Sequence, residues 1–439
     1  MRGWPLAALI AVTIIALTAC GGGSSGRAAS PAPSSPDAAA ATATAARSDQ
    51  EARIGFLETR AAGDPLDTLS LNLLAAEHMQ RARETGDVAE LSIARTALDR
   101  SLAIRRADNY DGLALAGALA STQHDFARGL ALAQEAIAQK PSEAYAYGIL
   151  GDAMMGLGRY DAAADAYARA AAGAPDDITT LGRLALLATI RGRTDDADGL
   201  WRRAVDAAQH DTVPEHLAWA HAQRAGLLFT LGRLDDAAAE YRASLDAFPG
   251  YVHALAGLGR VAAAHEDWDA AVASYSQAIE RVPLPEYVIA LGDVYEAAGD
   301  EGRAQQQYDL VAAIQQLYAA NGVNLDVQIA QFNADHNRDL AATVQRARQT
   351  YAEQPSLQAA DVLAWCELKA GNVDAARAAI ERALATGTRD PLVLFHAGMI
   401  YRAAGDVVRA RVLLTQVHDQ APRFSVRYAL ALEEALAGL

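Results

Sequence analysis

The chain has 439 residues, 51% hydrophobic but only 6% aromatic, with 54 acidic against 38 basic side chains and a net charge of −16. One compact core rarely grows to that length, so several domains or a repeat array are required. The acidic surplus repels phosphate backbones, which sets nucleic acid aside as a partner, and two cysteines are too few for a disulfide framework.

Met1 and Arg2 precede an apolar run from about Leu6 to Leu17. Such a run is too short to span a bilayer, which takes roughly 20 residues, and fits the core of a signal peptide. It ends Leu17-Thr18-Ala19-Cys20 and is followed by Gly21. This tetrapeptide resembles the bacterial lipobox. The resemblance implies a signal peptide over residues 1–19, removed before Cys20, and acylation of Cys20 itself. It also implies a cell-envelope protein, lipid-anchored to the membrane. Gly21 stands where an Asp would favour inner-membrane retention. The resemblance therefore places the protein on the outer membrane facing the periplasm in a Gram-negative cell, and on the outer face of the cell membrane otherwise. Residues 20–50 are mostly Gly, Ala, Ser, Thr and Pro. They offer too little apolar surface to offset ordering entropy and read as a flexible tether.

Residues 51–109 read as N-terminal helices and an irregular first repeat. Beyond them a pattern returns about every 34 residues. Tyr147, Leu150, Gly151, Gly158, Tyr160, Ala163, Tyr167, Ala170 and Pro175 set it. Leu181, Leu184, Ala185, Gly192, Ala197, Trp201 and Ala204 repeat it, as do Leu255, Gly259, Trp268, Ala271, Tyr275 and Pro283. Leu394, Gly398, Tyr401, Gly405, Ala410, Leu414 and Pro422 carry it near the end. This pattern resembles the tetratricopeptide repeat, a helix–turn–helix unit. The resemblance implies an all-α fold: a right-handed solenoid of antiparallel helix pairs, about ten repeats in all. Repeats are expected over 110–319 and again over 320–424, with 425–439 as a capping helix that covers the last apolar face. Small residues on the first helix of each unit (Gly151, Gly259, Gly292, Gly398) let the second approach, and Gly158, Gly192, Gly232, Gly299, Gly371 and Gly405 suit left-handed turns between them. Aromatics such as Tyr167, Trp201, Tyr241 and Tyr275 are expected to fill the gap to the next unit. From about Pro283 to Arg427 the strings AADVLAWCELKAGN and GTRDPLVLFHAGMIYRAAGD also resemble a recurring type of bacterial repeat protein, a likeness that bears on fold alone.

In that family the first helices line a concave groove that holds partner segments. In register, the groove here would present Tyr145, Trp219, Phe229, His253, Arg260, Tyr287, Asp293, Trp365, Phe395 and Arg402, with Asp152 and Met399 beside them. Aromatics and Arg suit recognition of a protein or peptide. No unit carries the Lys and Asn pattern of the carboxylate clamp that chaperone-binding members use. Two histidine stretches bear other readings. His210, Asp211, Glu215, His216 and His221 could gather metal ligands, though a solvated loop accounts for them as well. Asn333-Ala334-Asp335-His336 reads as a capping turn, with a ligand pair as the alternative. Cys366 beside Trp365 reads as a small buried hydrophobe. No phosphate loop, zincin motif or nucleophile elbow occurs. The reading is therefore a scaffold without cofactor or catalytic residues. A metal-dependent protein using residues 210–221, or a self-associating array, are the alternatives.

Overall fold

The computed structural model describes residues 36–439; the lipobox and Cys20 lie outside the described residues. All regular structure among the described residues is helical. A first helix, α1 (Pro36–Gly63), is followed by ten antiparallel pairs. These are α2 (Thr68–Thr85) with α3 (Ala89–Ile104), α4 (Tyr110–Thr122) with α5 (Phe126–Gln139), and α6 (Ala144–Gly156) with α7 (Tyr160–Gly173). Next come α8 (Ile178–Ile190) with α9 (Thr194–Ala208), α10 (Pro214–Thr230) with α11 (Leu234–Ala247), and α12 (Val252–Ala264) with α13 (Trp268–Arg281). The last four are α14 (Pro285–Ala297) with α15 (Glu301–Ala320), α16 (Asp326–Asp335) with α17 (Leu340–Glu353), α18 (Leu357–Lys369) with α19 (Val373–Leu384), and α20 (Pro391–Ala403) with α21 (Val407–Gln420). A short α22 (Ala429–Ala437) ends the chain. Each helix packs on its pair mate, and most pairs pack on the next. This is an all-α solenoid of tetratricopeptide-repeat type. Among the described residues no helix is long and apolar enough to cross a membrane.

One expectation changes at the start. The stretch read as tether up to residue 50 is helical from Pro36. Its Ala-rich composition, which denies it a core, is also the composition with the least cost of entering a helix.

The 34-residue phase has a direct packing cause. A Cβ at Gly151 would stand inside the ring of Tyr167, and one at Gly292 inside that of Tyr308. At Gly259 it would come 2.9 Å from Tyr275, and at Gly398 2.6 Å from Leu414. At these four positions the large side chain covers the glycine of its own unit, whereas Tyr241 and Trp201 reach the next unit, at Gly257 and Trp219, as the sequence suggested. Between the helices of a pair, Gly158, Gly192, Gly232, Gly299, Gly371 and Gly405 all take positive φ, from 67° to 85°. That is the left-handed stop expected of glycine. Three units lack this glycine and place His124, Glu266 and Asn337 at φ 61°, 60° and 53° instead.

The solenoid winds far enough to meet itself. The turn inside the first pair, at Gly86, abuts Val282, in the loop after the sixth. In the second pair His124 Nδ1 donates to the Asn324 carbonyl (2.6 Å), after the seventh. In the third, Gly158 faces the carbonyl of Pro355, and the Leu357 N–H donates to Tyr160 Oη (2.6 Å). Gly192 faces Gly387, and Gln420 Nε2 donates to the Thr230 carbonyl (2.8 Å). In every case the partner loop follows the pair five further along. Successive superhelical turns are therefore stacked in register. Two of the non-glycine turns contribute side chains to this seam: His124 as above, and Glu266, which pairs with Arg423. Arg83 and Glu215, both buried, meet across the same seam at 3.6 Å.

Candidate partner-binding face

The first helices of the later pairs (α12, α14, α16, α18 and α20) line a common concave face. The segment after α21 crosses it. Instead of only capping the last pair, residues 421–428 reach back over four earlier ones. Tyr428 Oη donates to Asp335 of α16, and the Tyr428 ring stacks on Phe395 of α20 (4.6 Å, 25°). It also meets Trp365 of α18 edge-on (5.5 Å, 77°). Phe424 lies 5.6 Å from Phe395. Arg427 faces Glu296 of α14 at 3.7 Å, and Val426 lines a small cavity with Ala264 of α12 and Val294 of α14. Phe424 and Tyr428 are 1% and 6% exposed, as deep as core residues.

Beneath this segment runs a polar network. Asp335 also accepts from Trp365 Nε1 (2.5 Å). Burial raises its carboxyl, against the pull of Arg427, Tyr428, His396 and Trp365. The His396 ring stacks on Trp365 (4.1 Å, 14°), and its Nδ1 lies 3.0 Å from Asp361. Tyr308 Oη donates to Asp293 (2.8 Å) and is also within reach of Glu296 (3.0 Å). Burial pushes Asp293 well above the usual carboxylate range despite Arg427, and its Oδ2 has no hydrogen-bond partner. Beside the segment a cavity of about 520 Å³ remains open, lined by Glu266, Asp293, Glu296 and Glu433 against Arg423 and Arg427. The lining is acidic on balance. Arg and aromatic side chains suit it.

The groove residues expected from sequence are distributed unevenly over this face. Asp293, Trp365 and Phe395 lie under or beside the 421–428 segment. Arg260 stacks over Phe229 at 3.7 Å and lines a small adjoining cavity with Asp293. Trp219 is spent inside the solenoid, edge-on to Trp201 (5.3 Å, 75°). Tyr287 hydrogen-bonds His253 Nδ1 (2.5 Å), and burial lowers that imidazole to about 4. Tyr145 packs, partly buried, against the core that includes Leu113 and Ile149, and Arg402 is exposed. Asp152 is fully buried and held by Arg183 (2.8 Å) and the Tyr167 hydroxyl (2.9 Å). Asn333 to His336 do end α16 in a capping turn, the Arg338 N–H donating to the Asn333 carbonyl (2.8 Å), while the Asp335 side chain is the buried acceptor that joins α16, α18 and the C-terminal segment. Its place near a helix end gave the local signal for a cap, and no local signal announced Tyr428, 93 residues on.

The histidine stretch near 210–221 is also corrected. His216 pairs with Asp211 (3.0 Å), His221 with Glu240 (2.6 Å), and Glu215 with Arg83 and Tyr251. His210 is exposed and faces only the Asp206 carbonyl. Each carboxylate is taken by a different partner, so the ligands never converge. Among the described residues no three His, Cys, Asp or Glu side chains gather to hold a metal. Cys366 is buried and faces the Ala330 carbonyl, with its thiol pushed up by burial.

Residues 114–178, 256–320 and 362–425 match the tetratricopeptide repeat profile. No curated protein matches the chain. Among solved structures, human IFIT1, crystallised as a dimer with PPP-AAAA, is 13% identical over 84% of this chain and 94% of its own, with a TM-score of 0.45. PilW, a widely conserved type IV pilus biogenesis factor, is 16% identical over 47% of this chain and 93% of its own, with a TM-score of 0.40. BtubC from P. vanneervenii is 21% identical over 46% and 92%, with a TM-score of 0.36.

Proposed function

We propose that this chain, a tetratricopeptide-repeat protein, is a scaffold that holds segments of partner proteins on its concave face and is tethered to the cell envelope through Cys20. One observation carries the reading. The concave face already holds a piece of polypeptide, residues 421–428, by aromatic stacking, a buried hydrogen bond and Arg–carboxylate pairing. Rigid aromatic and Arg anchors in desolvated pockets are what dominate protein recognition. The partner segment is therefore one that carries an Arg beside an aromatic residue, as Arg427 stands beside Tyr428.

The test uses a labelled peptide of residues 421–439 and the full chain with both Arg427→Ala and Tyr428→Ala, which frees the face. Anisotropy should report binding with Kd about 1–100 μM, within the range of short segments in grooves. Adding Asp335→Asn should weaken it about tenfold or more. An absence of binding at about 1 mM peptide would reject the face as a peptide site. The anchor is tested separately: fatty-acid label should follow the protein and disappear in Cys20→Ala, and label retained in that variant removes the lipid from the reading.

A further inference from the structure

A second cavity, of about 150 Å³, lies across the seam. Its walls come from both superhelical turns: Met79, Ala82 and Leu91 on one side, Leu284, Val323 and Leu325 on the other. A dry cavity of this volume is enough to hold a single aromatic ring. Most of its lining is apolar. Two polar groups on it are nevertheless unanswered. Tyr318 is 7% exposed, and its hydroxyl has no hydrogen-bond partner. The Glu286 carboxylate is met only by its own backbone N–H, and burial without a nearby cation pushes it up to about 7. Asp87 stands on the same lining and adds a second negative charge.

The basic side chains on the wall do not supply the missing charge. Arg83 is turned to Glu215. His124 and His253 are kept neutral by burial, and each already has a partner, the Asn324 carbonyl and Tyr287 respectively. What the cavity lacks is a cation attached to something apolar.

We propose that this cavity binds a small amphiphilic amine, its ammonium on the Glu286 carboxylate and its ring or short chain against Met79, Leu91, Val323 and Leu325. The assignment is independent of the concave face. Because both superhelical turns supply the wall, such a ligand would also tie the seam.

The experiment compares 2-phenylethylamine with 2-phenylethanol, which has the same shape without the charge, on the full chain by calorimetry at pH 8. The amine should bind about tenfold or more tightly than the alcohol, as a desolvated charge pair requires. In Glu286→Gln the amine should fall to the affinity of the alcohol, and the affinity of the alcohol should stay unchanged. Equal binding of the two by the native chain would show an apolar void with no amine recognition, and overturn the assignment. So would no binding of the amine at about 5 mM. The comparison on the native chain decides the matter even if the variant fails to fold.

Discussion

Replacing Tyr428 by Phe keeps the ring stacked on Phe395 and removes only the hydroxyl that donates to Asp335. Asp335 is 2% exposed, so water does not readily take the vacant position. The carboxyl keeps Trp365 Nε1 as a donor but loses one of its two side-chain hydrogen bonds. A hydrogen bond to a charged group contributes about 1.5–3 kcal/mol, and leaving a buried acceptor short costs about 1–3 kcal/mol. Either figure converts to roughly a 5- to 150-fold change in the equilibrium that lifts the C-terminal segment from the face. Hydrogen exchange reads that equilibrium locally, without requiring the whole solenoid to unfold as one unit. The expected result is a loss of protection of that size at the amides of Tyr428 and α22, with the amides of α6 and α8 unaffected. Pairing Tyr428→Phe with Asp335→Asn should give a coupling above about 0.5 kcal/mol, beyond what independent sites show. Protection unchanged within a factor of about two, or additive variants, would refute the claim that this hydrogen bond holds the segment in place.

Gly151→Ala drives a methyl into the Tyr167 ring. It should cost about 1–3 kcal/mol, seen as a lower midpoint in chemical denaturation, with part of the loss recovered in Gly151→Ala combined with Tyr167→Leu. Glu286 has a folded value of about 7, raised above its ordinary 4.5. A raised carboxyl opposes folding once it ionises, so its penalty is absent below about pH 4.5 and grows until about pH 7. Glu286→Gln should therefore match the native chain in Tm at pH 4 and exceed it at pH 8; an equal gap at both would show that ionisation of Glu286 is not the cause.

The unit of this fold was legible because its cause is local. Gly151 and Tyr167, or Gly292 and Tyr308, are 16 residues apart, and their size complementarity recurs with every turn of the pattern. The same holds for the glycines at positive φ. The seam was not legible, because Tyr160 meets Leu357 and His124 meets Asn324 across about 200 residues with no periodic mark at either end. The candidate face was half legible. Register placed Asp293, Trp365 and Phe395 on it, but an amphipathic helix in a solenoid packs on two neighbours, and the same rule drew in Trp219, which stacks inside the core. The capping turn at 333–336 was legible, but the role of the Asp335 carboxylate was not, since its donor arrives from the far end of the chain.

A linear array is stable in the way a chain of dominoes is: each piece leans on two others, and a break anywhere leaves the flanks standing. Stacking one superhelical turn on the next gives most units of this protein a third or fourth neighbour, turning a line into a small tiled surface. A weak unit is then braced from across the seam as well as from along the chain. The same geometry delays completion during synthesis. The second pair cannot close its contacts until residue 324 has been made, nor the fifth until residue 420, so the early units leave the ribosome as an open coil and are locked only from behind.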